Sequence, residues 1–547
     1  MKMTRNKALI FISIILVSVI IAMNVYKHNY IKKESSGALS YALKGDYKKA
    51  IEKYSLLAEK DRKNPLWYCK ISELYDLLEN EEKSNSYFKK AKDMDFMKSV
   101  DATNYILLRE YTSSKYKEAT IHGEEALKKY KKNKGIINTM ISLYISQGET
   151  KKAKDLVMNY PKDEKSSEDI ASFGRMCMNI SYYTKAFESL KTAYELDKDN
   201  IIILDSLSEN SSSHFKDMVK RVEDMMKKNP NNPMYKIWLS KIYSLNETTC
   251  EEALKLLRGK DIPSSLSVKL IKLTIYSTLG DFYNSDKIVT DLNENYKDDY
   301  RVYHYLSWYY LKKGNLEKSQ DYCYKSIEAN PDYLDNYAYL MPEICKYMRR
   351  NSNSKIYLQI AQEIAPCNYN ILVSKGDYYW YSLKNLNKSL NYYNLADKIK
   401  KNDSYIKYNL ALIYLDNNKA KATELLKKCV ELDPKENKYY RTLSVIYLND
   451  SNYKEAEKCI NKALSNNKND IMTLNNLAVF RIIAKSDVKK GYDEINKLNG
   501  LVTKGKKYDT YTISIISKNF KKIKDLYEKY IAATTPTLPI PELDLFY

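Results

Sequence analysis

The feature that most constrains this 547-residue chain is a pattern that recurs about every 34 residues. The clearest copies have a tyrosine, a glycine four residues later, and a small residue five positions after the glycine. A unit of this size cannot bury its apolar face alone, so neighbouring copies have to stack on one another. Clear copies are Tyr41–Gly45–Ala50, Tyr144–Gly148–Ala153, Tyr276–Gly280–Ser285 and Tyr310–Gly314–Ser319.

Apolar and small residues return at helical spacing on both sides of the glycine, which predicts a helix A before it and a helix B after it. Helix B is predicted to end before a proline in some copies, as at Pro331 and Pro434, because proline cannot continue a helix interior. The chain has only 13 glycines and 12 prolines, too few for a turn-rich β fold. The sequence therefore predicts an all-α fold of stacked helical hairpins.

This pattern resembles the tetratricopeptide (TPR) repeat, a helix–turn–helix unit of 34 residues. The resemblance covers residues 36–498, which is room for 13 to 14 copies. It implies an α-solenoid in the form of a right-handed superhelix. In this family a concave groove, lined mainly by helix A residues, commonly holds an extended peptide or a partner helix.

The repeats are not uniform along the chain. Repeats are expected in 36–200 and 263–498, and they degenerate in 201–262, where "SLSENSSSHFKD" breaks the period. A subdomain boundary is therefore expected near 200–232. Pro342 falls inside a predicted helix A, which predicts a kink or an error in the repeat frame at that point.

The C-terminal end is expected to have two parts. Residues 499–531 should form a capping helix, and residues 532–547 a Pro-rich tail that is disordered and cannot be regular helix. The last residues, "PELDLFY", mix acidic and apolar side chains as short linear ligands often do. Docking of this tail onto another molecule is therefore the alternative to disorder.

The first 35 residues predict a membrane anchor. Residues 8–26 carry no charge, and as a helix these 19 residues would be about 28 Å long, close to the hydrocarbon thickness of a bilayer. The small-x-small pattern of a cleavage site fails, because Ile20 stands where a small residue is needed. We therefore expect an uncleaved single-pass anchor in a bacterial plasma membrane, with the large C-terminal body outside the cell. A cleavable signal peptide is the alternative.

The chain is strongly basic, with a formal net charge of +21. Six cations and one acid in the first 35 residues account for +5, which leaves +16 for the remainder. Such a charge favours anionic neighbours, for example phospholipid head groups or acidic polymers. The lysines are dispersed rather than clustered, so they are also consistent with ordinary solvated helix faces.

No catalytic, cofactor or metal site is predicted. The four histidines do not pair at metal-binding spacing, and the motifs HExxH, GxSxG and GxGxxG are missing from the sequence. The eight cysteines form no CxxC pair. No helix-turn-helix motif precedes the repeats, so no nucleic-acid partner is expected.

The repeat register suggests which side chains face the groove. It places Asn409 and Asn476 where the family often uses asparagine to grip a peptide backbone, although asparagine also serves helix packing there. The candidate groove residues are His304, Trp308, Trp380, Tyr381, Tyr408, Asn409, Arg441 and Asn476. The leading hypothesis is a membrane-anchored, non-catalytic scaffold for protein or peptide partners. The alternative is a binder of an anionic envelope polymer or polysaccharide through a basic aromatic groove.

Overall fold

A computed structural model describes residues 25–504, 508–532 and 538–547. These residues form helices and connecting turns without any strand, so the all-α prediction is confirmed for them. The predicted anchor at 8–26 lies outside the described residues except for its last two positions. Within the described ranges, no helix combines the length and the apolar character needed to cross a bilayer.

The helices divide between two compact units, one ending at Lys400 and one comprising Lys401–Tyr547. The first half of the first unit contains α1 (25–43), α2 (Tyr47–Lys60), α3 (Leu66–Leu77), α4 (Glu81–Lys92), α5 (Val100–Thr112), α6 (Tyr116–Lys129), α7 (Lys134–Gln147), α8 (Thr150–Met158), α9 (Ser167–Asn179) and α10 (Tyr183–Leu196). Its second half contains α11 (Ile201–Lys228), α12 (Pro233–Tyr243), α13 (Cys250–Leu256), α14 (Leu266–Thr278), α15 (Phe282–Asn295), α16 (Tyr300–Lys312), α17 (Leu316–Ala329), α18 (Met341–Tyr347), α19 (Ser354–Ile364), α20 (Tyr369–Asp377) and α21 (Leu386–Ile399). The second unit contains α22 (Ser404–Tyr414), α23 (Lys419–Leu432), α24 (Asn437–Asn449), α25 (Tyr453–Asn466), α26 (Ile471–Lys485), α27 (Val488–Lys504) and α28 (Thr510–Ala532).

The turn between the helices of a pair has one recurring geometry. The residue five positions before the small residue of helix B has a positive φ, as Gly45 (82°) does before Ala50. Where the sequence has no glycine, another residue adopts this conformation, as Ser451 (58°) does before Ala456. A search for glycine alone therefore misses several repeats. The positions are Gly45, Glu79, Ser114, Gly148, Ser181, Gly280, Gly314, Arg349, Lys384, Ser451 and Ser486.

The small residues allow helices A and B to approach closely, and serine does this as well as alanine. Ser307 Oγ donates to the Ser319 carbonyl at 2.6 Å, and Ser319 Oγ donates to the Ser307 carbonyl at 2.9 Å. Ser72 and Ser84 form the same reciprocal pair at 2.6 and 2.8 Å. These four hydroxyls are buried, and each donates a hydrogen bond to a backbone carbonyl of the paired helix. Serine therefore carries the repeat pattern without leaving an unpaired polar group.

Two irregular stretches differ from the sequence-based expectation. The segment containing "SLSENSSSHFKD" belongs to α11, which is interrupted by one non-helical residue, His214 (φ −133°, ψ 42°). Pro342 lies in the first turn of α18, directly after a π-helical turn at Asn336–Leu340. Proline has no N–H to donate to a preceding carbonyl, and the wider π turn accommodates this loss. The two compact units divide at Lys400, and the subdomain boundary expected near 200–232 stays a prediction.

Early and late helices of the first unit pack against each other. Tyr357 Oη donates to the Leu43 carbonyl at 2.6 Å, and Lys355 Nζ donates to the Asp76 carbonyl at 2.6 Å. One apolar cluster joins residues of α1 to α3 with residues of α16 to α20. The helix A faces of these first repeats are therefore covered by the chain itself, and they do not form the open groove that the resemblance implied.

A buried ion cluster reinforces this packing. Arg175 on α9 donates through Nε to Glu209 Oε2 at 2.5 Å, and through Nη1 to Asp335 Oδ2 at 2.5 Å. All three side chains are buried. The two carboxylates come from α11 and from the segment after α17, so one guanidinium joins three parts of the unit.

Candidate functional site

The C-terminal residues 538–547, here called the tail segment, have neither helix nor strand and lie against α24, α26 and α28. The sequence predicted a disordered tail or one that docks on another molecule. In the structure the described part of the tail docks on its own chain. Side chains of the second unit pair with the backbone of these residues.

Two asparagines hold alternate residues of the tail segment. Asn476 Nδ2 donates to the Phe546 carbonyl at 2.7 Å, and its Oδ1 accepts from the Phe546 N–H at 2.9 Å. Asn519 does the same with Asp544, at 2.7 and 2.9 Å. Residues two positions apart in an extended chain face the same side, so both amides meet one edge of the segment. This arrangement recognises peptide backbone and is independent of side-chain identity.

Two further groups extend this backbone contact. Asn475 Nδ2 donates to the Asp544 carbonyl at 3.1 Å. Arg441 Nε donates to the Tyr547 carbonyl at 3.2 Å, while its Nη1 is held by Asp470 Oδ2 at 2.9 Å. The carboxylate of Asp470 thus fixes the direction of the guanidinium. We call the surface formed by Arg441, Asn475, Asn476, Lys518 and Asn519 the tail groove.

Side chains of the tail segment add apolar contacts and charge. Phe546 is 4% exposed and belongs to an apolar cluster from α26, α27 and α28, and its ring is nearly perpendicular to that of Tyr511. Leu543 and Leu545 pack against a second cluster that contains Val479 and Phe480. The segment therefore inserts one aromatic ring deeply and covers apolar surface with its leucines.

The groove is basic beside the acidic part of the tail segment. Lys518 Nζ lies 2.7 Å from Asp544 Oδ2, and this contact raises the pKa of Lys518. Lys522 Nζ donates to the Glu542 carbonyl. An acidic residue at position 544 therefore has an ionic partner, and a basic residue there would be repelled.

The structure places four predicted groove residues in the second unit. Arg441 and Asn476 contact the tail segment, as described above. Tyr408 is buried with its ring centroid 5.3 Å from that of Tyr439. Asn409 is 4% exposed, and its Nδ2 has no hydrogen-bond partner among the described residues. Asn409 is the sixth residue of α22, as Asn476 is the sixth of α26, so the two occupy equivalent helical positions.

His304 and Trp308 lie in the first unit and line a cavity of about 350 Å³ between α11, α12, α14 and α16. His304 Nδ1 donates to Asn336 Oδ1 at 2.8 Å, and its Nε2 accepts from Trp308 Nε1 at 3.1 Å. This pattern defines a neutral imidazole with its hydrogen on Nδ1. Burial lowers the pKa of His304 to about 4.

Trp380 and Tyr381 also lie in the first unit, on a π-helical turn at Tyr378–Ser382. Their rings stack on each other with centroids 4.7 Å apart, and Tyr381 is exposed. These two aromatics are therefore a stacked pair on one turn.

Sequence reasoning missed Asn475, Lys518, Asn519 and Lys522. The available signal is the recurrence of asparagine on α22, α26 and α28, at Asn409, Asn476 and Asn519. The sequence pattern of α28 predicts only a capping helix and does not point to Asn519. Within the described part of the chain, no group of three or more His, Cys, Asp or Glu side chains is placed to hold a metal ion.

Comparisons with known proteins agree with the repeat architecture. Residues 300–333, 404–436 and 438–470 match the profile of the tetratricopeptide repeat. A search of curated proteins returned no match.

Several solved structures are similar to this chain at low sequence identity. The APC/C hetero-tetramer Cut9–Hcn1 is 13% identical, with a TM-score of 0.40 over 90% of this chain and 96% of that one. Yeast Tom70 is 14% identical, with a TM-score of 0.38 over 84% and 96%. YrrB, a TPR protein with an unusual peptide-binding site, is 17% identical, with a TM-score of 0.29 over 34% and 96%. Of the three segments that match the tetratricopeptide repeat profile, residues 300–333 lie in the first compact unit, and residues 404–436 and 438–470 lie in the second.

Proposed function

We propose that this chain is a non-catalytic scaffold that binds an extended segment of a partner protein in the tail groove. The observation that carries the proposal is the pairing of Asn476 and Asn519 with both backbone groups of alternate residues. These amides provide donors and acceptors at the spacing of an extended peptide. Any partner segment that adopts this conformation can make the same hydrogen bonds.

Peptide binding is favoured over binding of an anionic polymer or polysaccharide. An asparagine amide uses both its donor and its acceptor here, and the peptide backbone offers one of each per residue. The anionic groups of a polymer only accept hydrogen bonds, and sugar hydroxyls do not present an N–H and a C=O together at each unit, so neither matches the paired contacts of Asn476 and Asn519. The backbone contact therefore supports a protein partner.

We also propose that residues 8–26 anchor the scaffold in a bacterial plasma membrane with its body outside. The support is the run of 19 uncharged residues behind a short basic leader. Seven of the eight native cysteines are buried, so an exposed Ser465→Cys variant is needed as a reporter. A membrane-impermeant maleimide should label this variant in intact cells. Labelling that requires cell lysis would contradict the proposed orientation.

The peptide-binding function can be tested by selecting displayed random peptides on the full chain carrying Leu543→Ser and Phe546→Ser. These changes loosen the tail segment and leave the groove unchanged. The matched control adds Asn476→Asp and Asn519→Asp. Enriched peptides should bind the control at least about tenfold more weakly, because each lost hydrogen bond in this range costs about 1 kcal/mol or more. Equal binding to both chains would rule out the tail groove as the peptide site.

A further inference from the structure

We infer that the partner segment has the chemistry of the tail segment, and that the tail segment is an intramolecular competitor that must leave before the partner binds. The recognised pattern is an acidic residue between two leucines, followed by an aromatic residue, as in Leu543–Phe546. This inference rests on the proposed peptide-binding function. It adds the identity of the ligand class and the regulation of the site.

The tail segment occupies the backbone-binding groups of the groove. Asn476 and Asn519 each use Nδ2 and Oδ1 on one tail residue. Arg441 Nε is also engaged by the Tyr547 carbonyl. A second peptide cannot form these hydrogen bonds at the same time. Binding of a partner segment and docking of the tail segment are therefore mutually exclusive.

The groove also selects side chains. Lys518 faces the Asp544 carboxylate at 2.7 Å, so an acidic side chain is favoured at that position. Two positions further, the pocket that buries Phe546 is apolar and accepts a large ring. The leucines at 543 and 545 contact a cluster that includes Phe480. Charge, ring size and spacing together describe one class of ligand.

The tail segment is buried lightly enough for a partner segment to replace it in the tail groove. Phe546 is its one buried side chain within the described residues, whereas Leu538, Leu543 and Leu545 are half-buried and Glu542 is exposed. A tethered segment of this kind competes with an effective concentration on the order of millimolar. A free segment with the same contacts therefore binds the intact chain weakly until the tail is displaced.

Asn409 offers a partner segment one hydrogen bond that the tail segment does not make. Its Nδ2 lacks a partner among the described residues, although it is 4% exposed and equivalent in helical position to Asn476. A buried amide without a hydrogen bond is costly. A longer partner segment that continues along the repeats from α24 to α22 can pair with this amide.

The test uses a fluorescent peptide with the sequence of residues 538–547, LPIPELDLFY, and two full-length proteins. One is the wild type, and the other is a tail variant carrying Asp544→Lys and Phe546→Ser. Fluorescence anisotropy should show at least about tenfold tighter binding to the tail variant, because the competing tail is released. A peptide with lysine at the Asp544 position should bind the tail variant about tenfold more weakly than the native peptide.

Several outcomes would overturn the inference. Equal affinity for both proteins would show that the tail does not compete. Failure of the tail variant to bind, with an unchanged circular dichroism melting curve, would show that the tail is not a ligand mimic. If displayed peptides still bind through Asn476 in that case, the proposed function stands and only this inference fails. A wild-type dimer that the tail variant breaks would place the tail in a neighbouring copy and refute intramolecular competition.

Discussion

The side-chain amide of Asn476 donates one hydrogen bond to the backbone of Phe546 and accepts another from it, although Phe546 lies 70 residues further along the chain. The same side chain that the repeat register predicts to grip a peptide therefore holds the end of its own chain. Asn519 repeats the contact two residues earlier, at Asp544. These two contacts connect the repeat architecture with the proposed function.

Replacing Asn476 by aspartate should release the tail segment. The carboxylate cannot donate to the Phe546 carbonyl, and two oxygens would then face each other in a buried site at a cost of about 1–3 kcal/mol. Hydrogen exchange measured by mass spectrometry should therefore speed up by about 10- to 100-fold in residues 540–547. The matched control is Asn461→Asp on the exposed face of α25, which should leave exchange in the tail unchanged. Unchanged exchange in the Asn476 variant would contradict the contact.

Replacing Ala456 by tryptophan should destabilise the second unit. Ala456 is fully buried where α25 meets its partner helix, and the larger ring would overpack that contact at a cost of about 1–3 kcal/mol. The melting temperature should therefore fall. Ala420→Trp on the exposed side of α23 provides the control and should melt like the wild type. Equal melting of all three proteins would argue against this repeat register.

Replacing Arg175 by methionine should destabilise the first unit strongly. Glu209 and Asp335 would keep buried charges without a cation, which costs about 3–5 kcal/mol for pairs of this kind. Adding Glu209→Gln and Asp335→Asn removes both charges and should recover part of the loss. The measurement is urea unfolding of the wild type, the single variant and the triple variant. A triple variant less stable than the single variant would refute this electrostatic explanation.

His304 should make the first unit less stable at acidic pH. Its pKa is lowered by burial from 6.5 to about 4, so as the pH falls the unfolded chain takes up this proton before the folded chain does. The contribution of neutral His304 to the free energy of unfolding is fully present above pH 6.5 and is lost as the pH falls to about 4. The loss is on the order of 3 kcal/mol.

The contribution of His304 can be isolated with His304→Gln, since glutamine offers a donor and an acceptor but does not titrate. Asp335 and Lys241, which act electrostatically on the imidazole, are common to both proteins. The stability of the wild type relative to this variant should therefore decline between pH 7 and pH 4. A difference that stays constant over this range would show that His304 is not the titrating group.

The sequence predicted the repeating helical hairpins well because the pattern is local. Tyrosine, glycine and a small residue at fixed spacing report on helix geometry and on one tight turn, and both depend on residues near in sequence. The repeats that lack glycine have a weaker sequence pattern. At Glu79 and Arg349 the left-handed turn is imposed by the stacking of helices on either side, without a permissive residue.

The sequence by itself therefore determined an all-helical chain of recurring helical hairpins, and it predicted asparagine positions suited to hold a peptide. Only the tertiary structure decided that the first unit covers its own helix A faces, and that the tail segment lies in the tail groove. The physical reason is distance along the chain. Contacts such as Tyr357 with Leu43, 314 residues apart, leave no periodic trace in the sequence. Asn476 and Phe546 meet only because the helices between them stack in one particular order.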